Sequence, residues 1–351
     1  MSTSNSPSHL PTPARVAIVG ATGAVGMELL TCLEQRDFPV QQLRLFASER
    51  SAGRHRNFRG RPLPLEVLGA DSLTELDLVL CSAGSNVACR FAPQAAERGA
   101  IVIDNSSAFR TLQHVPLVVP EVNAETLGGH AGLIANPNCV AIIASLALRP
   151  LQRAAGLRRL TMATYQAASG GGAAAMQELL SATRAALAGE SFTPRVLPHP
   201  YAFNLFSHNT AVDADSGLNE EEIKVTRELR RLLAQPALPI GVTCIRVPVL
   251  RAHAMALTVE LDRALSVGEA RGLFAAAAGV QLVDDRERNC FPMPSAASGI
   301  DDVLVGRIRT DASDPSGHTL ALFVAGDQLR KGAALNAVQI AEQLLDCRPP
   351  A

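Results

Sequence analysis

Short apolar runs alternate with helix-compatible stretches over the first 140 residues of the chain. Four of these runs predict buried parallel strands, namely RVAIV at 15–19, LRLFA at 43–47, LDLVLCS at 76–82 and AIVIDN at 100–105. Helical patterns lie between them, for example from about Val25 to Arg36 and over 88–98. Strands that alternate with helices predict an α/β fold with a Rossmann-like, doubly wound parallel sheet.

The pattern changes after about residue 140. Five further strands are predicted with few helices between them, at 158–168, 240–250, 254–261, 303–311 and 319–326. Consecutive strands favour a mixed or antiparallel sheet, so we expect the second part of the chain to be an α+β domain. The last segment, from 331 to 346, has a helical pattern.

Composition excludes several classes of protein. The net charge is −1, Trp is absent and Tyr occurs twice, which argues against a nucleic-acid or membrane-surface partner. The seven cysteines have no CxxC pair and no ordered spacing, so we predict neither a metal site nor disulfides. Their odd number favours a reducing, cytoplasmic location. No apolar run is long enough to span a membrane, and the polar residues 1–14 are typical of a disordered tail rather than a signal peptide.

A glycine-rich segment follows the first predicted strand and opens the first predicted helix. Such a loop makes a tight turn, and the helix that follows points its N–H groups and its dipole at a pyrophosphate. We therefore predict dinucleotide binding by Gly20, Thr22, Gly23, Ala24, Val25 and Gly26. The alternative is a glycine-rich turn before a core helix.

The end of the second predicted strand indicates which dinucleotide is bound. NAD enzymes place an acid there to bind the ribose 2′-hydroxyl. Here the only acid, Glu49, is surrounded by Ser48, Arg50 and Ser51, a set that suits a 2′-phosphate better. We predict NADP rather than NAD, the alternative being that 49–56 is a solvated loop.

Cys139 differs from the other cysteines in its setting. It follows Asn136-Pro137-Asn138 and precedes an apolar helical stretch. The start of a helix stabilises a thiolate, and the N–H groups there could also form an oxyanion hole. A nucleophilic thiol needs a base, and His253, between two predicted strands, is one candidate among eight histidines. A small buried cysteine and a structural histidine are the alternatives.

Together these segments resemble the aspartate-β-semialdehyde dehydrogenase family over nearly the whole chain after the tail. The resemblance extends over several blocks in the same order: GATGAVG (20–26), SERSAG (48–53), SSAFR (106–110), PEVN (120–123), NPNC (136–139), YQAASGGG (165–172), NEEEIK (219–224), RVPVLRAH (246–253) and DQLRKGAALNAVQIAE (327–342).

The resemblance implies a reaction and a site. It implies NADPH-dependent reduction of L-aspartyl 4-phosphate to L-aspartate 4-semialdehyde through a cysteine thioester, in the biosynthesis of lysine, diaminopimelate, threonine, methionine and isoleucine. Cys139 would be the nucleophile, His253 the acid/base and Gln166 the residue that orients the acyl group. The implied substrate ligands are Arg246 for the α-carboxylate, Glu221 for the α-amino group, Arg110 and Lys224 for the phosphate, and Asn138. The implied cofactor contacts outside the first loop are Ser82, Ser169, Gly170 and Gln328.

The same resemblance implies a homodimer and a domain organisation. We expect the tail over 1–14, an NADP-binding domain over 15–139 completed by a C-terminal helix at 331–347, and a catalytic and dimerisation domain over 140–328. The chain departs from many members at Ala252, where they have Gly, and at Val140 and Ala141, where they have Ser or Thr. The residues left two alternatives open: an N-acetylglutamyl-phosphate reductase, which Glu221 disfavours because that substrate has no ammonium, and a non-catalytic NADP-binding paralogue.

Overall fold

The computed structural model describes residues 9–69 and 71–345, and the chain divides into two compact units. The first unit comprises Met1–Pro137 and Ala333–Ala351, and the second comprises Asn138–Gly332. The division between the units therefore falls one residue before Cys139 at one crossing. At the other crossing it falls a few residues beyond the expected end of the second domain.

The first unit contains seven strands and three α-helices before the chain leaves it, within the described residues. In chain order these are β1 (Ala14–Val19), α1 (Ala24–Gln35), β2 (Val40–Ala47), β3 (His55–Phe58), β4 (Arg61–Val67), β5 (Leu78–Cys81), α2 (Ser85–Glu97), β6 (Ile101–Asp104), α3 (Pro120–Asn123) and β7 (Leu133–Ala135). Two 3-10 turns, Glu49–Ser51 and Ala124–Gly129, lie between them.

These strands form one sheet in the order β3-β4-β2-β1-β5-β6-β7. All neighbouring pairs are parallel except β3 and β4, which are antiparallel. The predicted doubly wound parallel sheet is thus confirmed. The hairpin β3–β4 was missed because its strands are rich in Arg and Pro; it turns at Arg59 and Gly60, which both have positive φ.

Residues from both ends of the chain pack into this unit. Leu10 is 1% exposed, and its N–H donates to the carbonyl of Leu344, so part of the segment expected to be a disordered tail is ordered. Buried apolar contact at Leu10 provides the physical reason. The remainder of that tail, residues 1–8, lies outside the described residues, as does the end of the predicted helix beyond 345.

The second unit contains the remaining strands of the described chain. Its elements are α4 (Cys139–Ala155), β8 (Arg159–Gln166), α5 (Gly172–Ala188), β9 (Phe206–Ser207), α6 (Glu220–Leu232), β10 (Ile240–Arg246), β11 (His253–Glu260), α7 (Val267–Ala275), β12 (Val280–Leu282), α8 (Pro294–Ala297), β13 (Val303–Thr310) and β14 (Thr319–Gly326). A 3-10 turn, Ala168–Gly171, precedes α5. A π-helical segment, Arg330–Ala334, leads back to the first unit and into α9 (Leu335–Gln343).

The second sheet has the order β12-β13-β14-β11-β8-β10-β9. The pairs β8/β10 and β12/β13 are parallel and the others are antiparallel, so the sheet is mixed, as predicted. In the parallel pair Gln166 lies opposite Arg246, each at the end of its strand. The antiparallel neighbour β11 begins with His253 at the same edge. Strand order therefore brings three predicted site residues together.

Candidate active site

The glycine loop of the first unit has the geometry that the sequence predicted. Gly20 has a φ of +90°, and a Cβ atom on it would lie 2.9 Å from the carbonyl carbon of Ser82. A Cβ atom on Gly26 would lie 2.1 Å from the carbonyl oxygen of Gly20. Both positions therefore need glycine for close approach of backbone to backbone. The loop leads directly into α1, whose first-turn N–H groups have no helical acceptor.

A cavity of about 640 Å³ lies beside this loop. Six of the predicted cofactor residues line it: Gly20, Thr22, Gly23, Ser48, Arg50 and Ser82. Ala24, Val25, Gly26 and Ser51 are not among its lining residues. Glu49 lines the cavity together with Ser48 and Arg50, so an acid, a hydroxyl and a guanidinium are all available at one end. The glycine cradle and the cavity fit a dinucleotide.

In the second unit, Cys139 is the first residue of α4 and is only partly buried. Asn138 caps the helix: its side-chain oxygen accepts the N–H groups of Val140 and Ala141 at 2.8 and 3.3 Å. Those two N–H groups are therefore occupied and do not form the oxyanion hole that the sequence suggested. The helix start still favours a thiolate at Cys139 through its dipole.

His253 is fully buried, and its hydrogen bond defines its tautomer. Its Nδ1 accepts the N–H of Ala167 at 3.0 Å, so a neutral ring carries its proton on Nε2. Nε2 has no hydrogen-bond partner among the described residues. Burial, with the neighbouring Arg246, lowers the pKa of His253 well below its ordinary value. The ring is thus a neutral donor at Nε2.

Arg246 is held at two points and open at a third. Its Nε donates to Asn209 Oδ1 at 3.2 Å and its Nη1 donates to the carbonyl of Ala167 at 3.1 Å. Nη2 makes no hydrogen bond to any residue in the described ranges. The 3-10 turn that carries Gly170 lies against Arg246 and His253, since a Cβ atom on Gly170 would come within 2.9 Å of Arg246 Nη1.

Glu221 joins two other predicted residues. Its Oε1 accepts the side-chain amides of Asn138 at 2.9 Å and Gln166 at 3.0 Å. Burial works to raise the pKa of Glu221, but the facing His208 and the two amides bring it below its ordinary value. Because the amide nitrogen of Gln166 is turned to this carboxylate, its Oε1 is directed elsewhere, and that atom has no partner among the described residues.

The predicted phosphate ligands are placed differently. Lys224 lies on α6 with Glu221, but its ammonium donates to Glu220 at 3.1 Å. Arg110 belongs to the first unit, where its Nη2 donates to the carbonyl of Asn105 at 2.7 Å.

Gln328 bridges two segments of the second unit. Its Oε1 accepts the N–H of Ala252 at 3.0 Å and its Nε2 donates to Ser169 Oγ. Ala252 has a φ of +72°, which explains why glycine is common there in the family that the sequence resembles. The Gln328 amide thus joins the segment before His253 to the turn that bears Gly170.

Sequence reasoning missed His208. It was one of several histidines in loop-like contexts, yet it is 7% exposed and its N–H donates to the carbonyl of Cys244. Burial, with Arg246 nearby, lowers its pKa to about 4. Thr210 connects it to the site, since Thr210 Oγ1 accepts the N–H of Glu221 and lies 3.3 Å from His208 Nδ1. No local sequence signal distinguishes such a buried loop histidine from an exposed one.

The described cysteines are all free thiols, and burial separates them. Cys32, Cys81 and Cys244 are buried, whereas Cys89 and Cys290 are exposed. Burial raises the pKa of Cys81 and of Cys244 to about 12. Within the described ranges we find no group of three His, Cys, Asp or Glu that could hold a metal ion. None of the helices described is sufficiently long and apolar to cross a membrane.

Comparison with protein families gives a match for each unit. Residues 15–130 match the model described as semialdehyde dehydrogenase, NAD binding domain. Residues 148–331 match the model described as semialdehyde dehydrogenase, dimerisation domain.

Individual relatives carry one name. The aspartate-semialdehyde dehydrogenase of Synechocystis sp. is 49% identical over 96% of this chain and 99% of its own. That of Bacillus subtilis is 42% identical over 94% and 96%. The crystal structure of aspartate semialdehyde dehydrogenase II from Vibrio cholerae aligns with a TM-score of 0.91 at 39% identity, covering 94% of this chain and 98% of that chain. The same enzyme complexed with ASA aligns with a TM-score of 0.91 at 38% identity.

Proposed function

The chain belongs to the aspartate-semialdehyde dehydrogenase family, and on that premise we propose which residues perform its reaction. The reaction is the NADPH-dependent conversion of L-aspartyl 4-phosphate to L-aspartate 4-semialdehyde and phosphate, a step of amino-acid biosynthesis. The observation that carries the proposal is the cluster at one edge of the second sheet, where Gln166, Arg246 and His253 meet around Glu221.

The cofactor is a nicotinamide dinucleotide, for which the first unit carries the family's NAD binding domain. We propose NADP as the preferred form, because Ser48 and Arg50 line the cavity beside the glycine loop and suit a 2′-phosphate. When bound, NADPH supplies the hydride that reduces the acyl thioester. Ser51, Ser169, Gly170 and Gln328 stay in the proposal as family-implied cofactor contacts.

Cys139 is the proposed nucleophile. Its thiolate attacks the carbonyl carbon of the acyl phosphate, a C–S bond forms, and the C–O bond to phosphate breaks as phosphate leaves with the electron pair. The position of Cys139 at the start of α4 supports this role, because the helix dipole favours the thiolate.

His253 is the proposed proton donor to the acyl oxygen. Because its Nδ1 accepts the N–H of Ala167, the neutral ring presents Nε2–H. That donor is buried and unpaired among the described residues, so it suits the charge that develops on the oxygen during attack. To act as a base at Nε2 the ring would have to give up the Ala167 contact, so we assign it the acid half of the acid/base role.

The remaining side chains recognise the amino-acid end of the substrate. Arg246 presents Nη2 to the α-carboxylate, and Glu221 provides the counter-charge for the α-ammonium. Gln166 offers an acceptor, Oε1, which suits an N–H donor of the substrate rather than its acyl oxygen. Arg110 and Lys224 are proposed as phosphate ligands, and Asn138 as a substrate ligand, on the family resemblance.

The second unit matches the family's dimerisation domain, and the chain functions as a homodimer on a small-molecule substrate. We propose a cytoplasmic location, supported by the free thiols of all six described cysteines.

The decisive experiment measures turnover with substrate alternatives. Wild type should reduce NADP with L-aspartate semialdehyde and phosphate or arsenate, and Cys139→Ser should remove this activity. In the reductive direction aspartyl phosphate should be preferred over N-acetylglutamyl phosphate. Preference for the acetylated substrate, or no turnover by wild type, would exclude the assignment.

The cofactor preference has its own test. Arg50→Ala should weaken NADP binding about tenfold or more, the loss of one charged contact, and should leave NAD almost unchanged. Both affinities can be measured by titration of the cofactor's fluorescence. Equal losses for the two dinucleotides would contradict a 2′-phosphate role for Arg50.

A further inference from the structure

Two carboxyl groups of α6 hold one residue, Asn138. Glu221 Oε1 accepts its side-chain amide at 2.9 Å, and Glu228 Oε2 accepts its backbone N–H at 2.5 Å. The two acids are seven residues apart on one helix, which is about two turns, so they project from the same face. Asn138 is therefore fixed at its backbone and at its side chain by the same helix.

The backbone contact is significant because of where it acts. The N–H of Asn138 lies before the first helical residue of α4, and its φ and ψ of −58° and 139° are not helical. It consequently depends on an acceptor from another element. Glu228 is 1% exposed, a depth at which a carboxyl group is unfavourable unless it is well hydrogen-bonded. The next residue along the chain is Cys139.

We propose that Glu228 is a positioning residue for Cys139: by holding the peptide N–H of Asn138, it fixes the direction in which the thiol projects from the start of α4. This inference rests on the proposed function in that Cys139 is the nucleophile. Glu228 does not touch the substrate in this scheme. It limits the freedom of the peptide that leads into Cys139, so that bound acyl phosphate meets a correctly directed sulfur.

Reach and charge can be separated with two substitutions. Glu228→Asp keeps the charge but withdraws the carboxyl group by one methylene, so it no longer reaches the Asn138 N–H. Glu228→Gln keeps an acceptor oxygen at the same reach but removes the charge. A positioning role requires that the Asp variant is impaired and the Gln variant is not.

The expected results concern three measurements. Glu228→Asp should lower kcat about 30-fold with KM within about twofold of wild type, because a misdirected nucleophile slows the chemical step rather than binding. Glu228→Gln should keep kcat within about threefold. Alkylation of Cys139 by iodoacetamide, followed by site-resolved mass spectrometry, should shift its midpoint to lower pH only in the Gln variant, because a nearby negative charge disfavours a thiolate.

Glu222→Gln is the matched control. Glu222 is another buried acid of α6, but its carboxyl group accepts the N–H groups of Asn219 and Cys244 and not that of Asn138. It should change thermal stability without the split between kcat and KM. Full kcat in Glu228→Asp, equal losses in the Asp and Gln variants, or the same profile in Glu222→Gln would overturn the inference. Alkylation of Cys139 does not require turnover, so an inactive wild type would reject the proposed function without deciding the role of Glu228.

Discussion

Replacement of Gly170 by alanine tests the arrangement of the second unit with one methyl group. The new carbon would lie 2.9 Å from Arg246 Nη1 and 3.0 and 3.1 Å from His253 Cε1 and Nε2. Comfortable contacts between such atoms are about 3.5–4.0 Å, so something must move by about 0.5 Å or more. Gly170 is not one of the glycines with positive φ, so the backbone itself tolerates alanine.

Which group moves determines the size of the effect. His253 is held by the N–H of Ala167, whereas Arg246 can bend at its guanidinium end, and either shift misplaces a group proposed to act on the substrate. A displacement of about 1 Å in an active site costs about 100-fold in rate, so we expect kcat/KM to fall about 10- to 100-fold. Overpacking costs about 1–3 kcal/mol, which for a unit of this size lowers the Tm by several degrees, about 2–4 °C for each kcal/mol.

The assay follows NADP reduction with L-aspartate semialdehyde and phosphate, together with thermal unfolding and NADPH titration. Gly241→Ala is the control: Gly241 lies on β10 of the same unit, and no described atom lies within 4 Å of its added Cβ. It should leave kcat/KM within about twofold. A Gly170→Ala enzyme with wild-type kcat/KM would refute the contact between this turn and the pair His253 and Arg246.

Three further outcomes follow from the same structure. Ala252→Gly should raise the free energy of unfolding by about 1 kcal/mol, because alanine at a φ of +72° is strained, and an unchanged or lower Tm would contradict this. Gly26→Ala should weaken dinucleotide binding at least about 100-fold, because its Cβ would lie 2.1 Å from the Gly20 carbonyl oxygen; titration showing wild-type affinity would disprove a rigid loop. The pKa of His208 is about 4 in the fold, below its ordinary 6.5, so the stability contributed by the neutral ring is present above pH 6.5 and is lost as pH falls towards 4. His208→Gln should therefore reduce the loss of unfolding free energy over that window by up to about 3 kcal/mol, and urea titrations at pH 7 and pH 4.5 that show the same loss as wild type would exclude this.

Periodicity predicted the architecture where burial is strong. The strands that end at Val19, Cys81 and Asp104 lie in the middle of a parallel sheet and are apolar on both faces, so their sequences are continuous hydrophobic runs. The edge hairpin β3–β4 has no such run, because one side of it faces solvent, and it was missed. Local pattern identifies central strands and not edges.

The site was predicted unevenly for a related reason. Motifs named Gln166, Arg246 and His253, but only the pairing of β8, β10 and β11 shows why they converge. His208 and Glu228 were missed because their importance lies in burial and in contacts to distant backbone, at Cys244 and Asn138. A contact between residues 90 positions apart leaves no local pattern to read.

The atoms without partners define the ligand more sharply than the residues do. Gln166 Oε1 and His253 Nε2 are buried and unpaired among the described residues, and each such atom costs about 1–3 kcal/mol. Yet every other polar atom of these two side chains is fixed, Gln166 Nε2 by Glu221 and His253 Nδ1 by Ala167. An acceptor and a donor held at this cost require a ligand with an N–H group for the first and an oxygen for the second. Arg246, tied at Nε and Nη1, adds a cation for an acid. An acylated amino acid with free ammonium and carboxylate groups meets all three requirements, whereas an N-acetylated one provides no charge for Glu221.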